Sequence, residues 1–78
     1  MLLSTAIQLR IKSLLAQKEM SAWKLYKATG VPKSTINAVL SGDSKDPKQS
    51  TILHICEGLE ITLRQFYDDD IFNDIEDD

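Results

Sequence analysis

SAWKLYKATGVPKSTINAVLSG, residues 21–42, is the stretch on which the fold turns. It reads as two short helices joined by a tight turn at Thr29-Gly30-Val31. Ser21 suits the N-cap of the first, because its hydroxyl can accept from an otherwise unpaired amide of the first turn. Gly30 ends that helix at a point where φ is expected to be positive, a conformation that penalises any residue with a Cβ. Pro32 opens the second helix, where its fixed φ is suitable and its missing N–H is no loss. Over residues 32–40 Ile36, Val39 and Leu40 share one face at helical spacing. Lys33, Ser34, Asn37, Ala38 and Ser41 share the opposite face, which is small and able to form hydrogen bonds.

Working outward, 78 residues make one domain near the lower size limit for folding without staples. Apolar residues form 42% of the chain, enough for a core and too many for wholesale disorder. The single cysteine cannot form an internal disulfide and supplies no zinc-ligand pattern. No charged-then-apolar leader and no apolar run of about 18 residues is seen, so a cytoplasmic protein without membrane contact is expected. Net charge is −3, but its distribution matters more than its total. Residues 68–78 hold seven acids and no base, whereas residues 1–67 hold all nine Lys and Arg against the other five acids, a net of +4. The chain divides into a basic body, 1–67, and an acidic tail, 68–78.

Before the central stretch, Ser4 or Thr5 is expected to cap a helix reaching about Gln17. In it Ile7, Ile11, Leu14 and Leu15 form one buried face, while Arg10, Lys12 and Lys18 point elsewhere and contribute positive charge. Lys18-Glu19-Met20 links to the second helix, Ala22 to Ala28, where Leu25 faces the core with Trp23 and Tyr26 flanking it. After the third helix, residues 41–47 concentrate Gly, Pro, Asp and Ser in a loop. A fourth helix starts near Gln49 or Ser50, with Ile52, Ile55, Cys56 and Leu59 as an apolar stripe. Thr62-Leu63-Arg64-Gln65 matches a capping box for a fifth helix, whose apolar face is Leu63, Phe66 and Tyr67. In the tail, Ile71, Phe72 and Ile75 fit either a short sixth helix docked on the body or a frayed, solvated end. The expected architecture is all-α, a compact bundle of five short helices.

In these residues the chain resembles the lambda repressor and Cro type of helix-turn-helix, the xenobiotic-response-element family. The resemblance rests on Leu25, Gly30-Val31, Ser34-Thr35-Ile36, Gly42, Pro47, Thr51-Ile52, Ile55, Leu59 and Ile61-Thr62-Leu63, in order, over about residues 7–67. It implies a five-helix fold whose third helix enters the DNA major groove, usually within a homodimer on a two-fold operator. Three positions depart from the family pattern. Tyr26 stands where a small residue lets the two motif helices approach, so its ring must lean outward or the helices must separate. Ala22 stands where a Gln often grips a phosphate, and Glu60 where Gly or Asn often ends the fourth helix.

Reading double-stranded DNA needs base-edge contacts for preference and phosphate contacts for register. On the exposed face of the third helix, Lys33 can reach guanine, Asn37 can pair with adenine, Ser34 or Thr35 can bond either a base edge or a phosphate, and Ala38 offers a methyl contact. The plainer reading of Lys33 and Asn37 is two solvated residues on an exposed helix. Helix N-termini present free amides to phosphate. Ser21, Trp23 and Lys24 at the second helix, and Lys45 and Lys48 at the fourth, are therefore candidate phosphate contacts, with Ser41 at the end of the third. Lys12 and Lys27 read as ordinary surface lysines. Cys56 reads as a buried small residue and His54 as solvent-facing. No catalytic set, phosphate-binding glycine loop or metal cluster is seen, so no catalysis, cofactor, metal or small-molecule ligand is expected. The leading expectation is a sequence-specific DNA-binding regulator of transcription. The alternatives are a protein-interaction module on the same fold and a DNA binder inhibited by its own acidic tail. Phe66, Tyr67, Ile71, Phe72 and Ile75 are the surfaces expected to support a dimer.

Overall fold

The computed structural model describes residues 1–76, in the order α1 (Leu3–Gln17), α2 (Ala22–Thr29), α3 (Lys33–Ser41), α4 (Gln49–Gly58), α5 (Leu63–Tyr67) and a single 3-10 turn, Asp70–Phe72. The two tail acids Asp77 and Asp78 lie outside the described residues. One isolated parallel bridge pairs Leu2 with Glu76. The radius of gyration is 11.6 Å. The expected five-helix bundle is present, and the expected stripes form its core. Ile7, Ile11, Leu25, Ile36, Ile52, Ile55, Leu59 and Phe66 are all but fully buried. Burying each such side chain contributes about 1.5–3 kcal/mol, which lets so short a chain fold without a disulfide. Cys56 belongs to this core, and burial pushes its thiol up to about 11.

Helix α1 packs on α3, and α2 on α4. The second pairing depends on Gly58, where a Cβ would stand 2.6 Å from Thr29 Cγ2 and 3.4 Å from Ala28 Cβ. The missing side chain admits the end of α2. The capping box at Thr62 closes as expected: Gln65 N donates to Thr62 Oγ1 at 3.0 Å, and Thr62 N donates to Gln65 Oε1 at 2.8 Å.

Several expectations need correction. Neither Ser4 nor Thr5 caps α1, because the helix starts at Leu3 with Leu2 as its N-cap, and Ser4 is buried within the first turn. Pro32 sits one residue earlier than expected, at the N-cap of α3, where its carbonyl accepts from Thr35 N and Ile36 N. Arg10 does not point away from the fold. Its Nε donates to Phe66 O at 2.8 Å, one terminal nitrogen donates to Gln65 O at 2.9 Å, and the other meets Asp69 Oδ2 at 3.1 Å. It therefore satisfies Phe66 O near the C-terminus of α5, where no further helical turn can do so, and adds a second donor to Gln65 O, which also accepts from Asp68 N at 3.3 Å. Of the two alternatives for the tail, the sixth helix is only the 3-10 turn. From it Phe72 stacks against Phe66 and Tyr67, with centroids 5.9 and 5.0 Å away. The tail is not frayed over 68–76 either, since Glu76 N donates to Met1 O at 2.8 Å.

Two helix ends share an unexpected device. Glu19 and Glu60 both have positive φ, +51° and +59°. After α1, Met20 N donates to Leu15 O and Glu19 N to Ala16 O; after α4, Ile61 N donates to Cys56 O and Glu60 N to Glu57 O. Each is a Schellman cap carrying glutamate where glycine is usual. Met20 and Ile61 follow the two caps and pack against the core.

Two stability predictions follow from these contacts. Glu19→Gly and Glu60→Gly should each raise unfolding free energy by about 0.5–1 kcal/mol, the left-handed penalty less the extra freedom of glycine when unfolded; urea denaturation checks this. Arg10→Met should lose about 1–2 kcal/mol in the same assay, mainly through the orphaned Phe66 carbonyl rather than the partly hydrated Asp69 pair. An unchanged midpoint would show that this carbonyl finds water instead.

Candidate nucleic-acid interface

The motif folds as its residues dictate. Ser21 Oγ accepts from Lys24 N at 3.2 Å and caps α2. Gly30, with φ +70°, ends it in the left-handed conformation. Thr29 Oγ1 accepts from Val31 N at 3.2 Å and braces the turn. Ile36 and Val39 then seat α3 on the core, with Leu40 half-buried beside them. Lys33, Ser34 and Asn37 are left on the exposed side, while Thr35 and Ala38 are half-buried.

The ring of Tyr26 does lean outward, across the gap to α3. Its hydroxyl donates to Asn37 Oδ1. The Lys33 ammonium lies 5.4 Å from the centroid of the same ring and 5.9 Å from that of Trp23. Lys27 approaches the Trp23 ring at 5.7 Å, so it joins this cluster rather than standing apart. Trp23 is 60% exposed, high for a side chain of its size. Cations over aromatic faces contribute about 0.5–1 kcal/mol at exposed sites, enough to bias a lysine rotamer. The structure thus joins Trp23 and Lys33, assigned separately from sequence, and adds Tyr26 and Lys27.

The remaining sequence-derived residues are spread around this cluster. Ser41 is engaged locally: its hydroxyl donates to Ala38 O at 3.3 Å and accepts from Asp43 N at 3.4 Å. Lys45 lies exposed in the loop before α4, and Lys48 is exposed at the N-cap of that helix, where no side chain caps the first turn. An open cleft of about 670 Å³ separates the α2–α3 turn from this segment, with Thr29, Thr35, Val39 and Lys48 on its walls. His54 on the cleft edge is solvent-facing and pairs with Glu57 at 3.1 Å.

Residues 21–42 contain three lysines and no acid. Among the described residues, Lys24, Lys27, Lys33, Lys45 and Lys48 have no ion-pair partner. The tail's ion pairs go instead to Arg10 and the N-terminal ammonium. A surface with five unpaired cations around hydrogen-bonding side chains attracts a polyanion.

Trp23 is the chain's single tryptophan, so its emission reports on this surface alone. Acrylamide should quench it strongly in the free protein and weakly once duplex DNA is added. Equal quenching at saturating DNA would remove Trp23 from the interface.

Compared with known protein families, the chain matches the model described as the Cro/C1-type HTH DNA-binding domain over residues 10–70, well over half of its length. No curated protein and no solved structure matches.

Proposed function

The chain belongs to the Cro/C1-type helix-turn-helix DNA-binding family, and from that premise we propose that it is a sequence-specific regulator of transcription whose α3 reads the major groove. The observation that carries this reading is the exposed side of α3, where Lys33, Ser34 and Asn37 stand free of acidic neighbours in a motif without a single carboxylate. Lys33 suits guanine O6 and N7, and Asn37 suits the adenine edge. Thr35 and Ala38, half-buried, approach a base edge only with their outer atoms. The N-terminus of α2, with Ser21, Trp23 and Lys24, supports one phosphate strand. The uncapped start of α4, with Lys45 and Lys48, supports the other side of the groove, and Ser41 keeps its loop in shape between them.

A homodimer on a two-fold operator belongs to this reading. Of the residues assigned to its interface from sequence, Phe66 is fully buried and stacks within the chain. Tyr67, Ile71, Phe72 and Ile75 keep partial exposure and are the part of that set which can meet a second copy.

Five unpaired lysines define the expected salt response. If each neutralises one phosphate, log K falls against log salt with a slope of about −4 to −5. On a selected site, Lys33→Ala and Asn37→Ala should each lose about 1–3 kcal/mol of binding, with far smaller losses on random duplex. No binding at low salt would overturn the assignment and leave docking of another protein as the use of this fold.

A further inference from the structure

We propose that Tyr26 is a specificity-determining positioning residue: it touches no base, but its hydroxyl fixes Asn37 and its ring fixes Lys33, so the two act as one reading unit. This inference rests on α3 being the reading helix and goes beyond it, because Tyr26 lies on α2.

Asn37 is exposed on α3. An exposed asparagine samples several rotamers and two amide orientations, and that freedom must be lost when it pairs with a base. The Tyr26 hydroxyl already donates to Asn37 Oδ1. One lone pair of Oδ1 and both Nδ2 hydrogens remain for a base edge. The amide is therefore held before DNA arrives, while its capacity for a bidentate contact is kept. Preorganisation of this kind increases the difference between right and wrong partners, since a fixed amide cannot turn to suit another base.

The ring of Tyr26 supports the second reader. Lys33 Nζ lies within 6 Å of both the Tyr26 and Trp23 centroids, 5.4 and 5.9 Å respectively. A lysine on four rotatable bonds gains direction from two aromatic faces. Tyr26 itself is half-buried, with its inner part packed against the core, so the platform is anchored rather than free. The large residue at this position explains itself in this arrangement. A small side chain there would allow α2 and α3 to approach equally well but would leave both Asn37 and Lys33 unsupported.

Tyr26→Phe separates the two effects, because it removes the hydroxyl and keeps the ring. Binding of the wild type, Tyr26→Phe, Asn37→Ala and the double variant is measured on a selected site, on its single-base variants and on random duplex. The Asn37→Ala profile first identifies the base pair that Asn37 reads. At that pair Tyr26→Phe should reduce discrimination by roughly three- to tenfold, the ratio carried by one neutral hydrogen bond, with random-duplex affinity unchanged. The double variant should lose no more than Asn37→Ala alone. In the free protein, the Asn37 side-chain amide resonances should show increased mobility in Tyr26→Phe while the backbone spectrum stays in place. An unchanged discrimination profile in Tyr26→Phe, or losses that add to those of Asn37→Ala, overturns the proposal while leaving α3 as the reader. Equal losses of Asn37→Ala on all duplexes, with the wild-type discrimination profile kept, overturn the reading role of Asn37 and this proposal with it. Tyr26→Leu, which removes hydroxyl and ring together, should also relax the pair read by Lys33; relaxation at the Asn37 pair alone would refute the ring's part.

Discussion

Helix α4 comes so close to α2 at Gly58 that a methyl group there would collide with Thr29, and the geometry of the motif follows from that approach. Thr29 is the last residue of α2 and also the brace of the turn, through its bond from Val31 N. Fixing Thr29 against α4 therefore fixes where Gly30 turns the chain and where α3 begins. Ile36 and Val39 then hold α3 down on the core and on α1. The direction in which Lys33, Ser34 and Asn37 project is set by packing on the far side of the motif. A helix pair of this size has little stability alone, since short helices are marginal without tertiary partners.

The charge distribution makes sense only once the structure is taken into account. The total of −3 suggests repulsion from a polyanion. Yet the described part of the tail lies against α1 and α5, where Asp69 meets Arg10 and Glu76 meets the N-terminal ammonium. The Asp69 carboxylate offsets the Arg10 charge, so that arginine adds little to an outward field. Among the described residues, the lysines of residues 24–48 have no such partners. At physiological salt, exposed charges beyond about 8 Å are heavily screened, so a DNA strand at the motif responds to these lysines more than to the chain's total.

Much of the fold was legible in the sequence because its signals are local. The Thr62–Gln65 box, the Ser21 cap, Gly30 and the apolar stripes each act within one or two helical turns, and all are found where expected. What escaped is long-range or runs against local preference. Arg10 bonds main-chain carbonyls on another helix, and every residue has a carbonyl, so no sequence pattern marks the partner. Glu19 and Glu60 take a conformation that glutamate disfavours, imposed because Met20 and Ile61 must return to the core. The link from Tyr26 to Asn37 joins different helices. Its one sequence trace was the bulk of Tyr26 at a position where the family pattern that the chain resembles has a small residue. The candidate base contacts, read from one exposed face, and the candidate phosphate contacts, read from helix starts, could be listed but not connected: the rings that join Lys33 to Trp23 are visible only in three dimensions.

The two glutamate caps also bear on how such a chain can change over generations. Each holds a strained backbone position on the strength of surrounding packing, and neither belongs to the motif helices. Relief of that strain is one base-coding step or a few away and touches no residue of the exposed α3 side. A substitution there that alters binding preference at some loss of stability can then be tolerated once a cap has relaxed. With α3 as the proposed reader, target preference and fold robustness sit on separate parts of the molecule, so the first can drift without endangering the second.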